Sequence, residues 1–207
     1  MRMGRPRRAD IRIATTERLL TAGAEHFAQQ GFDAARLHDI AKDAGITRPS
    51  LLYHFETKAK LYEAVVARTF EQLQTAFQDI ATTTGSDFPR MMRGLTDAYF
   101  DFLEGHPNVA KIILREFTSA SIPGAEIINT KIIPLLDWMT DFIAQRENGT
   151  LKRDLPIRAA LLEIALYGLI RVSAIQFQEV LWGEEDYSRR LSWQLLFDKP
   201  VPEDLLV

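Results

Sequence analysis

The sequence predicts an all-α protein, and two observations support this fold class. Apolar residues recur every three or four positions along almost the whole chain of 207 residues, whereas no stretch alternates with period two for long enough to indicate a strand. Glycine and proline divide this helical pattern into about nine segments. We therefore expect about nine helices and no β-sheet.

The first helix is predicted over residues 11–30, because one face of that stretch is apolar. The face consists of Leu19, Leu20, Gly23, Ala24, Phe27 and Ala28. Gly31 follows, and glycine most often supplies the left-handed residue at which a helix ends.

Two short helices come next and flank a tight turn. The first, over residues 37–44, ends after about two turns at Gly45. The second covers residues 48–54, where Thr47 can cap the free backbone amides and Pro49 lies in the first turn, in which a missing N–H costs little.

The rest of the chain is predicted to hold six longer helices. Thr57 can cap the fourth helix, which runs to a polar break at residues 82–86, the best candidate for a linker. Further helices are expected at about residues 88–105, 107–119, 125–147, 156–182 and 187–198. Pro134 is expected to kink the helix that contains it.

Charge is distributed unevenly along the chain. The net charge is −3, but residues 1–60 hold 11 Lys and Arg against 7 Asp and Glu, whereas residues 61–207 hold 14 against 21. A basic end on an acidic body is typical of a protein that binds a polyanion, and a chance scatter of solvated charges is the alternative.

Several classes of protein are disfavoured by composition. Cysteine is absent, which excludes disulfide bonds and thiolate metal sites. Because neither a signal peptide nor about 18 uninterrupted apolar residues occur, we expect a cytoplasmic protein that does not enter a membrane. The four histidines lack metal-ligand spacing, and no phosphate loop or nucleophile elbow is present, so we predict no enzymatic activity, no metal and no cofactor.

The two short helices have features that a DNA-binding motif needs. In a helix-turn-helix the second helix lies in the major groove, so the first must cross it closely, which Ala41 and Gly45 permit. Tyr53, His54 and Lys58 follow and suit phosphate oxygens. An ordinary corner between two bundle helices is the alternative that the local pattern leaves open.

These residues resemble the signature of the TetR family of transcriptional regulators. The matching residues, between about positions 9 and 66, are Gly31-Phe32, Asp39-Ile40-Ala41, Ala44-Gly45-Ile46, Leu51, Tyr53-His54-Phe55 and Lys58 through Leu61. The resemblance implies a helix-turn-helix head over residues 1–60 and a helical ligand-sensing and dimerisation domain over residues 61–207. It also implies a homodimer that binds double-stranded operator DNA and a small-molecule effector.

The resemblance assigns the recognition helix to residues 48–54. The implied DNA contacts are Arg36, Thr47, Arg48, Pro49, Ser50, Tyr53, His54 and Lys58. Arg48 can pair with O6 and N7 of a guanine, and contact with a phosphate alone is the alternative. For Tyr53 and His54 the alternative is a place in the core, and for Lys58 it is a solvated charge. Two positions depart from the family pattern, because Leu52 replaces a common tyrosine and Ala35-Arg36 replace threonines that would cap the second helix. Arg36 can reach a phosphate instead.

A basic arm precedes the first helix. It contains Arg2, Arg5, Arg7 and Arg8, interrupted by Gly4 and Pro6. We expect this arm to be disordered alone and to enter the minor groove or lie along the DNA backbone, and a solvated tail is the alternative.

The larger part of the chain is predicted to hold an apolar effector pocket and a dimer interface. The candidate pocket residues are Tyr99, Phe100, Leu103, Ile113, Phe117, Trp138, Phe142 and Tyr167, for which plain core is the alternative. The last two helices are apolar over most of their circumference, and the resemblance implies that they pair across a two-fold axis. The candidate interface residues are Leu161, Ala165, Gly168, Leu169, Val172, Leu191 and Leu195, for which burial within the monomer is the alternative.

The predicted function is therefore a repressor that a small apolar molecule releases from a palindromic operator. The sequence does not separate this from an activator of the same fold. A helical small-molecule-binding or enzyme-like protein without specific DNA binding is the second alternative.

Overall fold

The predicted all-α fold class is confirmed. A computed structural model describes residues 8–119, 121–183, 187–200 and 202, with the backbone alone for residues 8–11. Within these ranges the chain forms eleven α-helices and, apart from an isolated bridge between Leu151 and Phe197, no β-structure. The number exceeds the nine expected because two of the predicted helices are interrupted.

The N-terminal head consists of α1 (Arg8–Ala34), α2 (Leu37–Asp43) and α3 (Arg48–His54). The backbone of α1 leaves helical geometry at Gly31, with φ 79° and ψ 173°, where the sequence predicts the end of that helix. The long α4 (Lys58–Thr83) follows, and the Thr57 side chain caps it by accepting from Lys60 N.

Seven further helices form the rest of the described chain. They are α5 (Phe88–Gly105), α6 (Pro107–Ser119), α7 (Ile122–Ile127), α8 (Ile133–Arg146), α9 (Ile157–Ser173), α10 (Gln178–Trp182) and α11 (Ser188–Leu196). The polar break predicted as a linker joins α4 to α5, and α4 itself connects the head to these later helices.

The helix predicted over residues 125–147 is divided between α7 and α8. A π-helical turn at Ile128–Ile132 separates them, directly before Pro134. Proline lacks the N–H that would bond to the carbonyl four residues earlier, so a wider turn before it relieves the clash. The expected kink is therefore a π turn. The segment also starts earlier than predicted, because Ser121 caps α7 by accepting from Gly124 N.

The helix predicted over residues 156–182 breaks at Ala174, where φ is −94° and ψ is 38°. A 3-10 turn at Ile175–Phe177 then leads into α10. Within the described ranges no single helix is long and apolar enough to span a membrane, although α9 combined with residues 175–182, bent by 84°, meets that length and composition.

The core of the head lies between α1 and α4. A Cβ atom at Gly23 would come within 3.1 Å of Val65 Cγ2, so glycine allows the two helices to approach closely. Phe27 packs edge-on against Tyr62, with ring centroids 4.8 Å apart. Because α1 also packs along α6, the head rests directly on the later helices.

Candidate nucleic-acid interface and internal cavity

Backbone hydrogen bonds close the turn between α2 and α3. Gly45 N donates to Lys42 O at 3.0 Å and Ile46 N donates to Ala41 O at 2.9 Å, the paired bonds of a Schellman helix end. Gly45 has a φ of +70°, which side-chain-bearing residues rarely adopt. Ala41 is fully buried at the crossing. The turn therefore holds α3 across α2 in the geometry that the small residues predict.

The start of α3 presents polar groups to solvent. Thr47 Oγ1 accepts from Ser50 N at 3.3 Å and caps the helix, as predicted. Arg48 and Pro49 are exposed, and Tyr53 is 80% exposed. A guanidinium, hydroxyls and a phenol thus reach outward from one short helix, and these are groups that contact base edges and phosphate oxygens.

Two of the predicted phosphate contacts are engaged within the protein. Lys58 Nζ donates to Asp33 O at 3.0 Å and to Ala35 O at 3.1 Å, so its ammonium satisfies carbonyl groups at the end of α1. These two bonds leave the third ammonium donor of Lys58 for another acceptor, and its phosphate contact stays a prediction. His54 Nδ1 lies 3.2 Å from Thr16 Oγ1, which ties the end of α3 to α1.

Arg36 occupies the N-cap position of α2, is exposed and makes no capping bond, as its replacement of a threonine predicts. Arg2, Arg5 and Arg7 lie outside the described residues, and the side chain of Arg8 is not described. In the described part of the chain, no three His, Asp or Glu side chains form a group that could hold a metal ion.

An internal cavity lies between α4, α5, α6, α8 and α9. It is partly open to solvent, and its volume is about 130 Å³. The wall is formed by Phe70, Leu73, Phe77, Met92, Leu95, Thr96, Tyr99, Phe102, Leu103, Ile113, Phe117, Ile132, Leu135, Leu136, Met139, Leu161, Leu162, Ile164, Ala165, Leu166, Leu169 and Leu196. All of these except Thr96 and Tyr99 are apolar, and none is charged.

Half of the predicted pocket residues line this cavity. They are Tyr99, Leu103, Ile113 and Phe117. The other four do not line this cavity, and their place in an effector site stays a prediction. Phe100 is buried elsewhere in the core, Trp138 stacks on Phe142 with centroids 5.1 Å apart, and Tyr167 packs edge-on against Trp182.

Sequence reasoning missed the contribution of α4 to the cavity, and on α9 it chose Tyr167 rather than the residues that line the wall. The second half of α4 supplies Phe70, Leu73 and Phe77, and their helical spacing was the signal that could have placed them there. In contrast, α9 carries apolar residues around most of its circumference, so periodicity does not show which of its faces points inward.

Most of the predicted dimer residues face the interior of their own protomer. Leu161, Ala165 and Leu169 line the cavity, Gly168 lies against Leu103, and Val172 is buried. Their assignment to a dimer interface stays a prediction, and of the remaining two residues Leu191 is exposed and Leu195 is half-buried. The protomer instead exposes the apolar side chains Ile170, Ile175, Phe177, Val180 and Leu181.

The two polar residues of the cavity wall direct their protons to backbone carbonyls. Thr96 Oγ1 donates to Met92 O at 2.9 Å, and Tyr99 Oη donates to Ala165 O at 2.7 Å. Burial raises the pKa of the Tyr99 phenol well above its usual range, so the phenol stays protonated and neutral.

A buried carboxylate joins the head to the later helices. Glu116 Oε1 accepts from Tyr62 Oη at 2.5 Å, and Glu116 Oε2 accepts from Ser119 Oγ at 3.0 Å and Ser121 Oγ at 2.6 Å. Burial, followed by the hydrogen bond to Glu116, raises the pKa of Tyr62 well above its usual range. A Cβ atom at Gly124 would occupy the position of this carboxylate.

A neighbouring arginine of α6 makes a second connection to the head. Arg115 Nη2 donates to Ala28 O at 3.1 Å and to Gln29 O at 3.4 Å, near the end of α1. The Arg115 guanidinium lies where a Cβ atom of Gly31 would stand. Glycine at position 31 therefore serves both the backbone conformation and the approach of this guanidinium.

Comparison with known proteins agrees with this arrangement. Residues 19–65 match the family described as "Bacterial regulatory proteins, tetR family". The chain is 37% identical over 86 residues to the HTH-type transcriptional activator FasR of Mycolicibacterium smegmatis. This alignment covers 42% of this chain and 39% of FasR. It is 33% identical over 88 residues to the HTH-type transcriptional repressor KstR2 of Mycobacterium tuberculosis, which covers 42% of this chain and 44% of KstR2. The match thus spans less than half of each relative.

Solved structures extend the likeness of fold over most of the chain. A HlyIIR variant with a GSSGSSG linker superimposes with a TM-score of 0.74 at 19% identity, covering 92% of this chain and 99% of that one. A complex of SmeT with triclosan superimposes with a TM-score of 0.66 at 18% identity, covering 92% and 100%. At these identities the likeness establishes the fold.

Proposed function

We propose that this chain, whose residues 19–65 match the tetR family model, is a transcriptional regulator of that family that binds operator DNA as a homodimer and represses transcription until a small apolar molecule releases it. The observation that carries this proposal is the exposed start of α3, where Thr47, Arg48 and Tyr53 face solvent while Leu51 anchors the helix. The two heads would occupy matching groove faces of a partly palindromic site, about 34 to 36 Å apart.

The internal cavity supports the effector part of the proposal. Apolar pockets with few polar groups are the usual sites for small molecules, and the structural neighbour SmeT has been solved with triclosan. An effector releases DNA only if it binds more tightly to the protein conformation whose head spacing does not fit DNA. By linkage, bound DNA must then lower the affinity of the protein for the effector.

Helix α6 offers a physical connection between cavity and head. Ile113 and Phe117 line the cavity, and between them Arg115 and Glu116 bond to α1 and α4. A displacement of α6 by an occupant of the cavity would therefore act on both head helices.

The exposed apolar side chains near the end of α9 support dimerisation through that segment. We propose that Ile170, Ile175, Phe177, Val180 and Leu181, together with Leu191, contact a second copy of the chain. Contiguous exposed apolar groups of this kind mark interaction surfaces, because leaving them in water is unfavourable.

Activation of transcription is the alternative direction of regulation. The similarity to the activator FasR favours it as much as the similarity to the repressor KstR2 favours repression. Both proposals require the same DNA-binding surface, and they differ in the effect of an occupied operator on the promoter.

Selection of bound sequences from a random duplex pool at about 0.15 M salt tests the DNA-binding proposal, because specific affinity must be separated from the salt-sensitive phosphate contribution. The wild-type chain should enrich a two-fold symmetric site. Arg48→Ala should blur one symmetric position, while the matched variant Arg90→Ala, which removes an exposed arginine from α5, should leave the site unchanged. Failure of the wild-type chain to enrich any sequence would contradict the proposal and favour a small-molecule-binding protein without specific DNA binding.

A further inference from the structure

The walls of the internal cavity exclude charge. None of its residues is ionised at neutral pH, since the single titratable group, the Tyr99 phenol, has a pKa raised by burial. A carboxylate or phosphate inside such a cavity would lose its hydration without gaining a cationic partner, which is strongly unfavourable.

The described cavity wall also lacks a free hydrogen-bond donor. The hydroxyl protons of Thr96 and Tyr99 are committed to Met92 O and Ala165 O. The other wall residues are apolar, and all of them lie within helices or the π turn, so their backbone N–H groups bond along the helix.

The same two hydroxyl oxygens can still accept hydrogen bonds. A hydroxyl or phenol oxygen that donates its proton retains lone pairs. Thr96 and Tyr99 are three residues apart on α5, which places them on one side of that helix. The polar surface of the cavity therefore consists of acceptors.

We propose that the cavity takes an uncharged, hydrocarbon-rich molecule that carries a hydrogen-bond donor, namely an alcohol or a phenol, and that it discriminates against carboxylates and against compounds with acceptor oxygens alone. This inference rests on the proposed sensing function, and it names the chemical class of the effector. The donor of the ligand bonds to the oxygen of Thr96 or Tyr99, and the hydrocarbon part fills the apolar wall.

Binding of three matched probes to the full chain at pH 7.5 tests the proposal. The probes are decan-1-ol, its methyl ether and decanoate, which share one hydrocarbon chain and differ in charge and donor capacity. Decan-1-ol should bind at least about 100-fold more tightly than decanoate. Leu166→Trp, which fills the cavity, should abolish binding of the alcohol if the cavity is the site.

Two conservative variants test the acceptor role. Tyr99→Phe and Thr96→Val each remove a hydroxyl and keep the shape of the side chain. Combined, the two substitutions should lower the affinity for decan-1-ol about 3- to 10-fold without lowering the affinity for the methyl ether. Thr140→Val is the matched control, because Thr140 makes the same kind of bond to Leu136 O in α8 but does not line the cavity. It should change neither affinity.

The proposal is overturned if the affinity for decanoate lies within tenfold of that for the alcohol, or if no probe binds. It is also overturned if the two variants lower the affinities for alcohol and ether equally or leave both unchanged. Release of operator DNA is measured separately. If decanoate releases the wild-type chain from DNA but does not release the Leu166→Trp variant, the sensing function stands and the ligand class is wrong. If the alcohol binds as predicted and DNA affinity does not change, the ligand class stands and the sensing function is wrong.

Discussion

Tyr62 and Glu116, which are 54 residues apart in sequence, share a buried hydrogen bond of 2.5 Å between α4 and α6. The phenol donates to a carboxylate that two serine hydroxyls also hold. This bond connects the first half of α4, which packs against α1, to α6, which forms part of the cavity wall, so it affects both stability and the proposed response to ligand.

Replacing Tyr62 by Phe should lower the free energy of unfolding by about 1.5 to 3 kcal/mol, because the buried carboxylate of Glu116 would lose one of its donors. Urea denaturation measures the change. Tyr53→Phe is the control, since Tyr53 is largely exposed, and it should change stability by less than about 0.5 kcal/mol. Equal stability of the two variants would show that the Tyr62 hydroxyl contributes nothing to folding.

Gly124→Ala should destabilise the chain by about 1 to 3 kcal/mol, because the added methyl group would displace the Glu116 carboxylate. Gly105→Ala is a matched control, because a Cβ atom there meets nothing within 4 Å, and it should be neutral or slightly stabilising. Thermal unfolding of both variants checks the prediction, which fails if Gly124→Ala unfolds at the wild-type temperature.

Lys58→Met should lower stability by about 1 to 2 kcal/mol, because the carbonyls of Asp33 and Ala35 would lose their ammonium donor. Lys60→Met, which removes an exposed ion pair with Glu63, should change it by less than about 0.5 kcal/mol. The dependence of DNA affinity on salt provides an independent measurement. A salt slope reduced by about one in Lys58→Met, with stability unchanged, would instead support the predicted phosphate contact.

Val180→Asp should convert the proposed dimer into a monomer, because the surface around Val180 would have to bury a carboxylate against a second copy. Sedimentation velocity measures the oligomeric state. Ile122→Asp places the same charge at a side chain that is equally exposed, 88% against 85%, but lies on α7. If both variants remain dimeric, the interface lies elsewhere on the chain.

Local rules predicted most of the head. Gly31, Gly45, Thr47 and Pro49 each act on their own backbone, so their types alone locate the helix ends and the turn. Lys58 shows the limit of this reasoning, because its partners are carbonyls more than twenty residues earlier, and only the packing of α4 against α1 brings them within reach.

The cavity was harder to predict because its members are defined by orientation. Among the aromatic residues of the later helices, Tyr99 points into the cavity while its neighbour Phe100 points away. In α9, which has apolar residues around most of its circumference, Leu161 and Leu169 line the cavity and Ile170 is exposed. Because both faces of the helix are rich in apolar residues, only the contacts with neighbouring helices decide which face lines the cavity.

The bonds from Arg115 to Ala28 and Gln29 bear on how this protein can be divided for experiments. A fragment that ends after residue 65 would retain α1, α3 and Tyr62 but lose the guanidinium that bonds to the end of α1 and the carboxylate that binds Tyr62. Its recognition side chains would be present, but two of the bonds that hold their helices would be missing. We therefore expect that a fragment designed to retain the proposed DNA binding should extend at least through α6.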